Sequence, residues 1–218
     1  MKKVCICWLM VVVLSLFAAP SFADTVDVTF VGPVTGAMSD MSNSGYYYYI
    51  SPYSLLVNGT VENGYCIDFN HEITSGQSWT ANTTPASGPF GNTYLNSQIL
   101  YQEMGWLVSQ FGSASSADQK AIQQAIWDIS TQGTFPFLLT GQTQVWYNLA
   151  TTYSNYNSWT GAGWTILTDA NNKTASGAQE FLIQGPVPTP EPGTIMLLGS
   201  GILGVYGFSR KKRTLLKA

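Results

Sequence analysis

The chain has a short apolar segment near each end, so a folded domain can occupy only the residues between the two segments. The first occupies residues 4–19, follows two lysines and precedes Ser21-Phe22-Ala23, which fits the small-x-small pattern of a cleavable export signal. The second occupies residues 195–208. We therefore predict a signal peptide at residues 1–23, with an uncleaved membrane anchor as the alternative, and one folded domain at residues 24–184.

Only one cysteine lies outside the predicted signal peptide. Cys5 and Cys7 fall inside it, so the mature domain keeps Cys66 alone and has no partner for a disulfide. A leftover cysteine in an exported protein is buried and inert, joined to another chain, or chemically used. At 218 residues the chain is long enough for one domain with a real core.

The charge of the domain restricts the partners that it can have. Between residues 24 and 187 there are eleven acidic residues and two lysines, a net charge of −9. Such a surface repels phosphate backbones, so we expect no nucleic-acid partner. One histidine, one mature cysteine and scattered acids give no metal-ligand spacing, and no glycine-rich phosphate loop is visible, so we expect no metal and no cofactor.

The C-terminal tail has three parts in a fixed order. Residues 185–193 carry four prolines in seven positions, which predicts an extended linker. Residues 194–213, predicted as a sorting helix with a basic end, contain a 14-residue apolar run at residues 195–208. As a helix this run would be about 21 Å long against roughly 30 Å of hydrocarbon. The basic cluster that starts at Arg210 then favours retention on the cytoplasmic side.

This order resembles the PEP-CTERM sorting signal of Gram-negative bacteria that produce exopolysaccharide. Pro190-Glu191-Pro192 stands where the family's motif would, and Arg210 opens the basic end. The resemblance implies an exported precursor anchored in the inner membrane, followed by cleavage near the motif by an exosortase, a membrane-embedded transpeptidase-like enzyme. The protein would then reach the cell surface or the extracellular matrix. An ordinary C-terminal membrane anchor is the alternative.

The domain itself reads as strands, then helices, then strands. Alternating apolar residues predict strands at Val26 to Val31, Tyr46 to Ile50, Ser54 to Val57, Val61 to Phe69, Trp164 to Thr168 and Gln179 to Ile183. Helical spacing predicts helices from Tyr94 to Phe111, from Ser116 onward, and from Thr143 to Tyr153. The order predicts an α+β domain, a β sandwich or barrel with a helical insertion.

The second helix carries the most specific pattern. Ser116 and Gln119 form a capping-box start. The predicted buried stripe at i, i+3, i+4 and i+7 consists of Ile122, Ala125, Ile126 and Ile129. Gln123 and Trp127 lie one turn apart on a neighbouring face.

The environment of Cys66 argues against a freely ionised thiol. In a strand that ends at Phe69, Cys66 and Asp68 would share one face. The carboxylate of Asp68 would then raise the pKa of the thiol by repelling a thiolate. An acylated sulfur carries no charge and escapes this penalty.

The sequence from Tyr65 to Asp68, followed past a helix by Ile122 to Trp127, resembles the thioester (TQXA) domains of bacterial surface adhesins. In that family a strand cysteine attacks the amide of a helix glutamine, expels ammonia and leaves an internal thioester. The resemblance implies that Cys66 is the sulfur and Gln123 the acyl donor, with Gln124 as a less well-matched substitute. Ile122 departs from the pattern, because the family usually has Thr there.

This resemblance implies a surface or matrix protein active in adhesion or biofilm that reacts once with an amine or hydroxyl on a partner, and hence no enzyme. Asp68, Trp127 and His71 would support the site. His71 could aid proton transfer, but a hydrogen-bonded loop histidine is favoured, and a Cys/His hydrolase is disfavoured. A passive structural protein, or one that binds exopolysaccharide through the tyrosine run at residues 46–49, is the competing class.

Overall fold

The computed structural model describes residues 25–40, 45, 47–171, 174 and 176–185. The predicted signal peptide, the linker after Gly185, the sorting helix and the predictions for Pro190, Glu191, Pro192 and Arg210 lie outside these residues. Within the described part of the chain, no helix is long and apolar enough to cross a membrane.

Six antiparallel strands close into a barrel. In chain order the strands are β1 (Thr25–Pro33), β2 (Met38–Asp40), β3 (Tyr47–Tyr49), β4 (Tyr53–Val57), β5 (Thr60–Cys66), β6 (Ser78–Pro85), β7 (Trp164–Asp169) and β8 (Phe181–Gln184). The order around the barrel is β1, β4, β5, β8, β7, β6, while β2 and β3 pair separately as a small ribbon. Of the two predicted alternatives, sandwich or barrel, the structure has the barrel.

The predicted helical insertion lies between β6 and β7. It consists of α1 (Gln98–Gln110), α2 (Ser116–Ser130), α3 (Gly141–Ala150) and the short α4 (Tyr153–Tyr156). The cap of α2 is Ser115, one residue before the predicted start, because the Asp118 N–H donates to Ser115 Oγ at 3.2 Å. The predicted stripe from Ile122 to Ile129 is confirmed, since all four of its side chains are buried.

Strand alternation separates two apolar cores. Inside the barrel, the ring of Phe181 packs against Phe30, Tyr53 and Trp79. On the outer face of β5, β7 and β8, Tyr65, Ile166 and Leu182 pack against α1 and α2. Cys66 pairs with Phe181 in the ladder between β5 and β8, so it belongs to the inner face, whereas its neighbour Tyr65 belongs to the outer one.

The strand prediction was wrong at one functionally relevant end. β5 stops at Cys66 and not at Phe69, so the alternation of faces does not continue to Asp68. The strand β6 was missed because its sequence, Ser-Trp-Thr-Ala-Asn-Thr-Thr-Pro, has too few apolar residues to show a period of two. The first helix was predicted from Tyr94, but α1 begins only at Gln98, and the side chain of Ile99 in its first turn is 52% exposed.

Candidate thioester site

The end of β5 and one face of α2 bring Cys66 and Gln123 together. The Gln123 Nε2–H donates to the backbone oxygen of Cys66 at 2.9 Å. Both residues are completely buried. Gln124, the substitute considered from the sequence, accepts a hydrogen bond from Thr143 of α3 at 2.7 Å instead.

Ser51, between β3 and β4, is hydrogen-bonded to both Cys66 and Gln123. Its N–H donates to Gln123 Oε1 at 3.1 Å, and its Oγ accepts from the Cys66 N–H at 2.9 Å. The amide of Gln123 is thus held at both its oxygen and its nitrogen by backbone groups. Ser51 was missed from the sequence, where a serine before a proline in a turn carries no signal of such a role.

Trp127 of α2 lies next to the Cys66 thiol. Its indole nitrogen is buried and has no hydrogen-bond partner among the described residues. It lies beside the Cys66 thiol closely enough to lower the pKa of that thiol, although no hydrogen-bond geometry is met. We call Ser51, Cys66, Gln123 and Trp127 the amide site.

The thiol of the amide site is neutral at physiological pH. Burial raises the pKa of Cys66 to about 12, while the indole of Trp127 and the backbone of Asp68 oppose the rise. The carboxylates of Asp68 and Glu180 raise it further. The predicted repulsion by Asp68 is therefore present, but burial is the larger cause. The thiol donates to the Asp68 carbonyl oxygen at 3.0 Å.

An aromatic cluster of Tyr48, Phe69 and Phe135 packs around Trp127. The ring of Phe69 packs on Trp127 at 5.4 Å between centroids and on Phe135 at 5.0 Å. Tyr48 packs edge-on against Trp127. Beyond Phe135, an open groove of about 450 Å³ runs between the end of α2 and α3, with Asp128 and Tyr147 in its wall.

The loop after β5 leads from the amide site to a second buried polar group. The carboxylate of Asp68 accepts from the N–H groups of Asn70 at 2.9 Å and Glu180 at 3.3 Å, and it lies 2.5 Å from His71 Nδ1. The His71 ring stacks on Tyr94 with centroids 4.3 Å apart. The hydrogen bond to Asp68 raises the pKa of His71, and the surrounding apolar burial opposes this rise.

Glu180 is the most deeply buried acid of this group. Its carboxylate accepts from Tyr101 Oη at 2.6 Å, Thr168 Oγ1 at 2.5 Å and the Tyr94 N–H at 3.1 Å. Burial raises its pKa to about 7 against these bonds, which lower it. Sequence reasoning missed Glu180, because a lone acid within a predicted strand gives no sign of burial. The carboxylate cluster is defined here as Asp68, His71, Tyr94, Tyr101, Thr168 and Glu180.

Two further predictions can be placed. Within the described residues no group of three or more His, Cys, Asp or Glu side chains is arranged to hold a metal ion. Of the tyrosine run proposed for sugar stacking, Tyr47 and Tyr49 are exposed, whereas Tyr48 packs on Phe69 and Trp127; Tyr46 lies outside the described part.

Comparison with known proteins identifies the tail. Residues 188–212 match the model of the PEP-CTERM protein-sorting motif. No curated protein and no solved structure matches the chain. The chain thus carries a PEP-CTERM sorting motif, which indicates export and exosortase-dependent sorting, and an exosortase is the partner that this motif implies.

Proposed function

We propose that this exported protein forms an internal thioester between Cys66 and Gln123 and uses it to attach covalently to a partner at the cell surface or in the extracellular matrix. The attachment would serve adhesion or the cohesion of a biofilm. The protein would not turn over, because each molecule carries one activated acyl group and spends it once.

The observation that carries this proposal is the way in which the Gln123 amide is held. A buried glutamine that only fills space needs hydrogen-bond partners, but those partners need not include the one cysteine outside the predicted signal peptide. Here the amide nitrogen bonds to the backbone of Cys66 and the amide oxygen bonds to Ser51. Holding two reactants in one fixed geometry is a large part of lowering the barrier between them.

The bond-forming step balances without any other reactant. The sulfur of Cys66 attacks Cδ of Gln123, negative charge develops on Oε1, and the C–N bond breaks as the thiol proton moves to the departing nitrogen. The products are a thioester and ammonia. Burial of both residues then protects the bond from water.

The second step transfers the acyl group. An amine or hydroxyl on the partner attacks the same carbon, the C–S bond breaks, and the proton of the nucleophile passes to the sulfur. The Gln123 side chain becomes an amide or ester of the partner, and the Cys66 thiol is restored. Because the aromatic cluster covers the site, the cluster must open for a macromolecular partner to reach the carbon.

Intact mass of the purified full chain tests the proposal. The wild type should be lighter than its sequence by one ammonia, and Cys66→Ala should show no such loss. Methylamine should label residue 123 of the wild type and free one thiol. Gln124→Ala is the matched control and should behave as the wild type. A wild-type mass equal to that of the sequence would exclude the thioester.

The competing function is passive binding of exopolysaccharide. It is favoured by the exposed rings of Tyr47 and Tyr49, which could stack on sugars. Cys66→Ala should bind polysaccharide as well as the wild type if this function is correct, and Tyr47→Ala with Tyr49→Ala should lose binding. If the covalent function is correct, attachment that survives denaturant should be lost in Cys66→Ala and kept in the variant with Tyr47→Ala and Tyr49→Ala.

A further inference from the structure

Thioester formation and its reaction with a nucleophile both place negative charge on two atoms in turn. The oxygen of the Gln123 amide is charged in the tetrahedral intermediate, and the sulfur is charged as it attacks or departs. A neutral, buried environment makes each charge costly unless a donor is already in position. The amide site should therefore contain one donor for each atom.

One of these donors lies at the oxygen. The Ser51 N–H is 3.1 Å (N to O) from Gln123 Oε1, which is within the range of an oxyanion-stabilising contact. Ser51 is itself only 1% exposed. Its Oγ accepts from the Cys66 N–H, so the residue that meets the amide oxygen is also tied to the backbone of the attacking cysteine.

The other donor lies at the sulfur. The indole nitrogen of Trp127 is buried and meets hydrogen-bond geometry with no described residue, yet it lies near enough to the Cys66 thiol to lower the pKa of that thiol. Trp127 is 2% exposed and is tightly packed by Phe69 and Tyr48. A donor without a hydrogen bond in the resting protein is free to stabilise the negative charge that the neighbouring sulfur carries only during the reaction.

We propose that the Ser51 N–H stabilises the oxyanion on Gln123 and that the Trp127 indole N–H stabilises the charge on the Cys66 sulfur, so that both are catalytic groups of the thioester reaction. This assignment rests on the thioester proposed above. It goes beyond the general supporting role expected for Trp127 and assigns a role to Ser51, for which the sequence gives no signal.

The test measures rates on the full chain with its thioester formed. Trp127→Phe keeps the packed ring and removes only the N–H. Trp79→Phe is the matched control, because Trp79 also has a buried indole nitrogen without a partner among the described residues, but it lies on β6. A Ser51 variant with an ester in place of the backbone amide, made with the α-hydroxy acid of serine, removes the other donor and keeps Oγ.

The expected result is a slower reaction with methylamine. Trp127→Phe should react about tenfold more slowly than the wild type, the effect of one hydrogen bond to a charged group. The ester variant should react roughly a hundredfold more slowly, as when an oxyanion donor is removed. Spontaneous hydrolysis should slow in parallel, whereas Trp79→Phe should keep both wild-type rates.

The sign of the change separates chemistry from packing. A residue that merely holds the fold would, when altered, admit water and speed both reactions. Rates for Trp127→Phe and the ester variant that equal or exceed those of the wild type would overturn the donor assignment while leaving the thioester intact. Should Trp127→Phe not fold, the ester variant decides. Absence of ammonia loss in the wild type would instead remove the proposed function, and the donor roles with it.

Discussion

The amide site and the carboxylate cluster are joined by the short loop after β5, yet they differ in how many donors surround their acidic groups. In the amide site the hydrogen bonds that fix Gln123 come from backbone groups, and burial keeps the thiol neutral. In the carboxylate cluster, Asp68 and Glu180 are surrounded by N–H and O–H donors and by His71. Donors partly offset the cost of burying charge in the second region, whereas in the first the buried thiol stays neutral.

The contrast assigns different roles to two neighbouring buried regions: the amide site serves the proposed chemistry, and the carboxylate cluster stabilises the fold. A thiolate would be unstable in the amide site, so the resting thiol is unreactive towards most agents. The charged groups next to it hold the loop that leads away from Cys66 through Asp68, and the thiol donates to the backbone carbonyl of Asp68, not to its carboxylate. Three substitutions test this division, in order of decreasing expected effect.

Introducing charge into the amide site should have the largest effect. In a Cys66→Ala background, where no thioester can form, Gln123→Glu replaces the donor to the Cys66 carbonyl by a carboxylate oxygen and buries an unpaired charge. We expect a loss of about 4 kcal/mol in the free energy of unfolding at neutral pH. Part of it should return at pH 5, where the new carboxyl is protonated, as measured by urea denaturation.

Gln124→Glu in the same background is the control, because Gln124 is only half-buried and its oxygen accepts from Thr143. Equal losses for the two variants would show that the amide site tolerates charge. The comparison also bears on function, since hydrolysis of the thioester leaves a glutamate at position 123.

Removing charge from the carboxylate cluster should have a smaller effect that depends on pH. Burial raises the pKa of Glu180 from 4.5 to about 7, so the folded state holds this proton more tightly than the unfolded chain does. Its contribution to stability is therefore greatest below pH 4.5 and is lost as the pH rises to about 7. Relative to Glu180→Gln, the wild type should lose on the order of 3 kcal/mol across this window. Parallel pH curves for the two proteins would contradict the assignment.

Breaking the pair between His71 and Asp68 should have the smallest effect. His71→Phe keeps a ring to stack on Tyr94 and should cost about 2 kcal/mol of unfolding free energy below pH 6.5. The hydrogen bond to Asp68 raises the pKa of His71, so the contribution is present at low pH and is lost as the pH rises through the pKa of the folded state.

The same variant tests whether His71 takes part in the chemistry. If His71 only holds the loop, His71→Phe should still show the ammonia loss and react with methylamine at the wild-type rate. A folded His71→Phe protein without the ammonia loss would instead support the proton-transfer role suggested by the sequence.

Local pattern was sufficient for much of this protein. The buried stripe of α2 follows from spacing alone, because residues three and four apart on a helix share a face wherever that helix packs. The same spacing places Gln123 and Trp127 one turn apart, and both are buried. The failures have physical reasons as well: β6 carries little apolar alternation, and the end of β5 is set by its pairing with β8, not by its own residues.

The sequence by itself was sufficient to identify the tail as a sorting signal, through its proline-rich linker, apolar run and basic end. It also allowed the pairing of Cys66 with Gln123 to be predicted. Only the tertiary structure decided that the sheet closes into a barrel, that Ser51 meets the Gln123 amide and that Glu180 lies beside Asp68. The physical reason is separation along the chain: Ser51 is 72 residues from Gln123, and Asp68 is 112 residues from Glu180. Such contacts depend on how the strands close around the core, and the spacing of apolar residues along the sequence carries no information about that closure.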